Sequence, residues 1–118
     1  MNKLIVILGP TAVGKTKLAV QLANELDGEI ISADSRQVYK HMDIGTGKDL
    51  KDFKLDNQEI PYHLIDIKNP GDEYDVFQFQ QDFIKAYTDI RLRNKVVILC
   101  GGTGMYLQAA IQKELLFE

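Results

Sequence analysis

Cysteine and tryptophan are nearly missing from this chain of 118 residues, which has one cysteine and no tryptophan. One cysteine cannot form an internal disulfide, which argues against the class of small secreted proteins held together by disulfides. The single thiol, Cys100, ends the apolar run 96–99, where a buried cysteine acting as a small hydrophobic residue is expected. We therefore predict a protein of the reducing cytoplasm.

Excess positive charge and long apolar runs are also lacking. The net charge is −3 and the isoelectric point about 5.3, so no global basic field attracts nucleic acid or an anionic membrane, which weakly opposes a polyanionic partner. The N-terminal apolar run, residues 4–8, is too short for a membrane span or a secretory signal. No membrane association is predicted.

Internal repeats, low-complexity tracts and Pro/Gly/Ser-rich linkers are absent as well. With 45% hydrophobic residues, the chain is long enough for one ordinary core and too short for two comfortable domains. We therefore predict a single domain over residues 1–118.

A glycine-containing motif follows the first apolar run. It comprises Gly9, Pro10, Thr11, Ala12, Val13, Gly14, Lys15 and Thr16, in the pattern G-x-x-x-x-G-K-T. Glycines at this spacing let backbone N–H groups surround a phosphate, the lysine reaches the outer phosphates, and the threonine hydroxyl can bind Mg²⁺. The alternative is a glycine-rich turn that joins a strand to a helix and binds no ligand.

The segment after this motif predicts an amphipathic helix. Leu18, Leu22 and Leu26 recur at helical spacing with Ala19 and Ala23 beside them, which predicts one apolar stripe. The N-terminal N–H groups of such a helix face the same anion as the motif.

Strands and helices alternate along the rest of the chain. The predicted elements are strand 3–8, helix 15–26, strand 29–34, strand 62–67, helix 75–93, strand 95–100 and a helix from 105 to about 113. Residues 38–61 are predicted to form an irregular, solvated excursion. This order predicts an α/β fold, a doubly wound parallel sheet with helices on both faces.

Three polar loops are predicted to meet at the carboxyl edge of that sheet, where α/β proteins bind their ligands. They are residues 9–16, 32–37 and 101–104. Each has a simpler interpretation: the Asp34-Ser35 pair could cap a helix, and residues 101–104 could be an ordinary turn. Their coincidence at one edge favours a shared ligand site.

Five motifs in this order resemble the tRNA dimethylallyltransferase family, also called tRNA isopentenyltransferases. They are Gly-Pro-Thr-Ala-Val-Gly-Lys-Thr, Ile-Ser-Ala-Asp-Ser-Arg-Gln-Val-Tyr, Met-Asp-Ile-Gly-Thr, His-Leu-Ile-Asp and Gly-Gly-Thr-Gly-Met-Tyr. The discriminating motifs are residues 31–39 and 101–106, because many nucleotide kinases carry only the first. The resemblance covers nearly the whole chain and implies a fold like that of P-loop NTPases. Because members of the family are longer, it also implies an N-terminal fragment whose sheet is incomplete at its C-terminal end and which lacks a helical tRNA-clamping part.

The implied reaction transfers a dimethylallyl group from dimethylallyl diphosphate to N6 of an adenosine beside a tRNA anticodon. Residues 9–16 would hold the diphosphate, with Thr16 binding Mg²⁺ as the cofactor. Asp34 would be the general base and Thr11 would lie near the reacting centre. The tRNA contacts carried over from the family are Asp34, Ser35, Arg36, Gln37 and Thr103. The resemblance also implies that the intact enzyme is monomeric.

Two other interpretations stay open at this point. A small-molecule or nucleoside kinase would use Lys15 for ATP and Asp34 for a substrate hydroxyl. A phosphate-binding module without catalytic activity is the second. Asp66 could hold water on Mg²⁺ or cap a turn, and His63 and His41 are interpreted as surface or satisfied polar residues.

Overall fold

The structure, a computed structural model, describes residues 4–8, 15–35, 37–39, 54–55, 58–102 and 104–116. Its elements in chain order are β1 (Leu4–Leu8), α1 (Lys15–Leu26), β2 (Gly28–Ser32), β3 (Lys54–Leu55), β4 (Gln58–Glu59), β5 (Tyr62–His63), α2 (Val76–Leu92), β6 (Val96–Gly101) and α3 (Gly104–Leu116). Among these residues, no helix combines the length and the apolar character needed to cross a membrane.

A four-stranded parallel sheet forms the centre of the fold, with strand order β1-β6-β2-β5. The register pairs Leu8 with Gly101 and Ser32 with Cys100, so the central strands end close together. The predicted parallel sheet is thereby confirmed.

A short antiparallel hairpin lies within the segment predicted to be irregular. β3 pairs with β4, with Lys54 opposite Glu59. The prediction for residues 38–61 is therefore wrong at this hairpin, whose strands are too short for sequence alternation to reveal them. Residues 40–53 lie outside the described part of the chain.

Helices cover both faces of the sheet, as predicted. On one face Ile31, Val97 and Leu99 pack with Phe79 and Phe83 of α2 and with α3. On the other face, Ile30, Ile98 and Cys100 pack against α1. Cys100 is buried, which confirms that prediction. Because strand side chains alternate, every second residue of β2 counted from Ile30 faces the α1 side.

The buried stripe of α1 differs from the predicted one. Ala19, Val20 and Ala23 are buried, whereas Leu18 and Leu26 are 48% and 42% exposed. The helix turns its small side chains towards the sheet, which allows a close approach between helix and strands. The predicted stripe is therefore right at Ala19, Leu22 and Ala23, which pack towards the sheet, and wrong at its two outer leucines.

The second helix is fixed at its start by a capping box. Asp75 Oδ1 accepts a hydrogen bond from Gln78 N–H at 2.8 Å, and Gln78 Oε1 accepts one from Asp75 N–H at 2.9 Å. This exchange satisfies backbone donors that no helical carbonyl reaches. The helix 75–93 is confirmed to within one residue at each end.

Two strands end earlier than predicted. β2 ends at Ser32 because a turn follows Asp34, and β5 ends at His63. Leu64 and Asp66 have φ angles of +65° and +58°, which an extended strand cannot accommodate. The polar and apolar alternation of residues 62–67 does not reveal this left-handed backbone.

A buried carboxylate ties the amino-terminal edge of the sheet together. Glu29, only 4% exposed, accepts hydrogen bonds from Arg93 Nη2 and His63 Nε2, each at 2.7 Å. Burial raises the pKa of Glu29, but the hydrogen bonds from Arg93 and His63 and the charge of Arg93 outweigh it, so the pKa lies below its ordinary value of 4.5. His63 thus has a hydrogen-bond partner within the protein, which agrees with its interpretation from sequence as a satisfied polar residue.

We expect Glu29→Gln to lower the free energy of unfolding by about 1–2 kcal/mol at neutral pH, because the charged hydrogen bonds to a buried group are lost. A carboxyl whose pKa is lowered by folding stabilises the protein above its unfolded-state pKa, and this stabilisation disappears as pH falls through the folded-state pKa. We therefore expect the difference in free energy of unfolding between variant and wild type to become smaller as the pH is lowered from neutral to about 3, measured by denaturant unfolding.

The matched control is Asp27→Asn. Asp27 also forms an ion pair, with Lys95 at 2.6 Å, but its side chain is 78% exposed. Exposed pairs contribute about 0–1 kcal/mol, so this change should be nearly silent. Equal losses in the two variants would contradict a special role for the buried carboxylate.

Candidate functional site

Three neighbouring strands end at one edge of the sheet, and each is followed by a loop of the predicted site. β1 ends at Leu8, β6 at Gly101 and β2 at Ser32, in the spatial order β1-β6-β2. The helices α1 and α3 begin at this same edge, because each follows its strand directly and runs back along the sheet. The sequence-predicted convergence of the loops 9–16, 32–37 and 101–104 therefore agrees with the strand order.

Asp34 lies immediately beyond the pairing of β2 with β6. The preceding Ala33 N–H still donates to the carbonyl of Cys100 at 2.8 Å, so the ladder continues one residue past the strand. Asp34 itself is 4% exposed. Its carboxyl group is held at the end of a rigid strand, which is the placement that positions a catalytic side chain most accurately.

The contact between β2 and β6 is unusually close at this point. A Cβ atom added to Gly101 would lie 2.2 Å from the carbonyl oxygen of Ala33. Only glycine fits there, because any side chain would displace the residue before Asp34. The sequence marks this glycine as part of a loop, whereas the structure places it in the strand.

A backbone hydrogen bond between Asp34 and Gln37 closes a tight turn. Gln37 N–H donates to the Asp34 carbonyl at 3.2 Å, and the Ser32 hydroxyl donates to Gln37 Oε1 at 2.8 Å. The loop that follows β5 holds the end of the turn, because Asp66 N–H donates to the Gln37 carbonyl at 3.0 Å. Ser35 lies within the turn and is partly exposed.

An aromatic cluster packs between α2 and α3. Tyr106 stacks on Phe79 with ring centroids 4.3 Å apart, and its hydroxyl donates to the Tyr74 carbonyl at 3.4 Å. Burial raises the pKa of Tyr106, and the charges of Tyr39, Asp75 and Asp34 raise it further, so the phenol stays protonated. Sequence reasoning assigned no role to Tyr106; its signal is an aromatic residue soon after the Gly101 loop.

Part of the predicted site lies outside the described residues. These are Gly9, Pro10, Thr11, Ala12, Val13, Gly14, Arg36 and Thr103, together with the side chains of Lys15 and Thr16. The backbone shows that Lys15 and Thr16 begin α1 at the carboxyl edge. The roles predicted for all these residues stay predictions.

Comparison with known proteins decides the family. The model of the family described as IPP transferase matches residues 37–117. The chain belongs to the IPP transferase family. The resemblance derived from the motifs is thereby confirmed.

Relatives of this IPP transferase chain align over most of its length. It is 62% identical over 109 residues to tRNA dimethylallyltransferase 2 of Phocaeicola vulgatus, covering 92% of the chain and 36% of that protein. It is 60% identical over 110 residues to tRNA dimethylallyltransferase 1 of Parabacteroides distasonis, covering 93% of the chain and 36% of that protein. The chain thus spans about a third of the length of these relatives.

Solved structures confirm the predicted P-loop NTPase-like α/β fold. The crystal structure of a full-length tRNA isopentenylpyrophosphate transferase from Bacillus halodurans superposes with a TM-score of 0.86 at 46% identity, over 96% of this chain and 36% of the other. A eukaryotic dimethylallyltransferase captured acting on tRNA gives a TM-score of 0.83 at 40% identity, over 92% of this chain and 26% of the other.

His63 does not face the candidate site, and the two roles that the sequence left open for Asp66, holding water on Mg²⁺ or capping a turn, stay predictions. His63 bonds to Glu29 near the opposite end of β2, as described above. Within the described ranges, no group of three or more histidine, cysteine, aspartate or glutamate residues could hold a metal ion. Asp66 has a left-handed backbone and donates its N–H to Gln37, so its backbone supports the turn that carries Gln37.

Proposed function

We propose that the protein carrying this chain transfers a dimethylallyl group from dimethylallyl diphosphate to N6 of the adenosine beside a tRNA anticodon. The observation that carries the proposal is the buried carboxyl group of Asp34, positioned at the carboxyl edge where α1 begins, in a chain of the IPP transferase family. Relatives at 62% and 60% identity are named for this transfer, which supports the same reaction here.

The diphosphate of the donor is proposed to bind residues 9–16. The start of α1 supports this placement, because the first N–H groups of a helix lack intrahelical partners and attract an anion. Lys15 would neutralise the outer phosphate, and Thr11 would lie near the reacting carbon. The loop recognises a diphosphate and needs no nucleotide base, so a prenyl donor fits it chemically.

The transfer forms a bond from N6 to C1 of the dimethylallyl group and breaks the bond from C1 to the diphosphate oxygen. N6 then carries an excess proton, which Asp34 is proposed to accept. A strongly basic carboxylate is unnecessary, because an amine becomes acidic as its nitrogen bonds to carbon, and positioning contributes most of the effect.

The tRNA is proposed to approach from the open side of the sheet edge. Asp34, Ser35, Arg36, Gln37 and Thr103 are its proposed contacts. Because the donor diphosphate lies deep in the loop, the target adenosine must leave the anticodon stack to reach it. The other proposed features are a monomeric enzyme and a cytoplasmic location, the latter supported by Cys100, which is buried and, as the single cysteine of the sequence, cannot form an internal disulfide.

The residues present fit Mg²⁺ by donor chemistry. Thr16 lies in the first turn of α1 beside the proposed diphosphate, and a hydroxyl, phosphate oxygens and water are the hard oxygen ligands that Mg²⁺ prefers. Thr16 would hold the ion, which when bound would neutralise charge on the leaving diphosphate.

Lys15→Ala should weaken binding of dimethylallyl diphosphate by about tenfold to a hundredfold, because it removes a charged hydrogen-bond donor from the phosphate site. Equilibrium titration with the donor measures the effect. Lys17→Ala is the matched control, since Lys17 lies in the same helix turn and is exposed. Unchanged donor affinity in Lys15→Ala would exclude the proposed contact.

The proposed function is tested with the complete gene product, dimethylallyl diphosphate, Mg²⁺ and an anticodon stem-loop RNA. Formation of N6-dimethylallyl adenosine supports the transferase. Turnover of ATP on a small hydroxyl acceptor in place of prenyl transfer would identify a kinase, and absence of both products would indicate a phosphate-binding module.

A further inference from the structure

The hydrogen bond between Ser32 and Gln37 acts on a side chain and not on the fold of the turn. The turn is already closed by the bond from Gln37 N–H to the Asp34 carbonyl, and Gln37 is held by the bond from Asp66 N–H to its carbonyl. The Ser32 hydroxyl instead reaches across to Gln37 Oε1 at 2.8 Å. Its direct effect is therefore to fix the orientation of the Gln37 carboxamide.

Ser32 faces the side of the sheet that α1 covers. Ile30 packs against α1, and alternation along β2 puts Ser32 on the same face at the carboxyl end. Ser32 is 2% exposed and Gln37 is partly exposed. A buried hydroxyl thus anchors a partly exposed side chain in the turn that begins at Asp34.

The bond also sets which end of the carboxamide is presented. With Oε1 bonded to Ser32, Nε2 is directed away from that hydroxyl. Nε2 carries two hydrogens, so it can donate to a substrate beside any contact it makes within the protein. Asp34, which opens the same turn, supplies a carboxyl acceptor.

We propose that Ser32 is a positioning residue that aims Gln37 Nε2 at ring nitrogen N1 of the target adenine, while Asp34 accepts from N6. This inference rests on the proposed prenyl transfer and names how that site selects its base. Adenine presents a donor at N6 and an acceptor at N1, which matches an acceptor and a donor in the protein. Guanine presents an acceptor at O6 and a donor at N1, so both contacts would become repulsive.

The inference is tested with two stem-loop RNAs, one carrying adenosine and one carrying 1-deazaadenosine at the target position. The analogue keeps N6 and replaces the ring nitrogen N1 by C–H. The ratio of kcat/KM for the two RNAs is measured for the wild-type complete gene product and for Ser32→Ala, Ser32→Thr and Gln37→Leu. Comparing this ratio between variants cancels the intrinsic reactivity of the analogue.

The wild type should prefer adenosine by about tenfold, as expected for one well-oriented hydrogen bond. Gln37→Leu should abolish most of this preference, and Ser32→Ala should reduce it to about twofold by lowering kcat/KM for adenosine alone. Ser32→Thr keeps the hydroxyl and should keep the preference. Thermal unfolding shows whether Ser32→Ala is folded. If it is not, the ratios measured for Ser32→Thr and Gln37→Leu still test the inference.

The outcomes separate the inference from the proposed function. Product with adenosine in the wild type, but equal losses on both RNAs in Gln37→Leu or Ser32→Ala, overturns the inference and leaves the transferase intact. A preference in Gln37→Leu that is as large as in the wild type does the same. No product with the wild type on either RNA overturns the proposed function and the inference with it.

Discussion

Asp34→Asn should lower kcat for prenyl transfer by about a hundredfold to ten-thousandfold, the usual contribution of a positioned general base. Asparagine preserves the size of the side chain and its hydrogen-bonding oxygen but cannot accept the proton that N6 loses. The group is proposed to act in the transition state, so affinity for the prenyl donor should change little. Single-turnover rates and donor titration measure the two quantities separately.

Asp89→Asn is the control for this change, because it removes the same charge from an exposed position on α2. Its rate should match that of the wild type. A near-normal rate for Asp34→Asn would remove Asp34 from the role of base, and a weakened donor affinity with unchanged kcat would assign it to binding instead.

The fold could be predicted from sequence because its signals are local and repeated. The apolar run of residues 4–8 and the helical spacing of Phe79, Phe83 and Ile90 each require only a few neighbouring residues, and the structure confirms both elements. The order of strands and helices then restricts the topology, since crossover connections are right-handed. The parallel sheet followed from these two constraints.

Details set by tertiary contact could not be predicted in the same way. The buried face of α1 is centred on Ala19 and Ala23, and it leaves Leu18 and Leu26 exposed although their spacing placed them in the same stripe. The early end of β5 depends on left-handed backbone at Leu64 and Asp66. Side-chain pattern carries little information about either feature.

In the candidate site, too, sequence predicts the local features and leaves out those set by tertiary contact. The placement of Asp34 at a strand end is visible in sequence as a polar residue after an apolar run. The contacts around it are not visible in sequence. Ser32 meets Gln37 only because the chain turns, and Gly101 meets Ala33 only because β6 lies beside β2. Family resemblance supplied the roles, and the structure supplied the contacts that hold Asp34 and Gln37.

Gly101→Ala should lower kcat for prenyl transfer by about a hundredfold and destabilise the protein by about 1–3 kcal/mol. The new Cβ would lie 2.2 Å from the Ala33 carbonyl oxygen and 2.6 Å from its carbonyl carbon. Backbone cannot rotate away as a flexible side chain can, so β2 must shift at its end. Asp34 follows Ala33 directly and would move with it, and small displacements of a catalytic group have large effects on rate.

Gly104→Ala provides the comparison, because a Cβ at Gly104 meets no atom within 4 Å. Gly104 begins α3, where alanine is favoured over glycine, so stability should stay equal or rise by up to about 1 kcal/mol. Denaturant unfolding and single-turnover rates on both variants separate the two causes of lost activity. If Gly101→Ala keeps the wild-type rate despite its lower stability, the strand end can shift without moving the carboxyl group, and the tight contact between β2 and β6 serves only the fold. If the rate falls in the folded variant while donor affinity holds, the same contact sets the position of the proposed base.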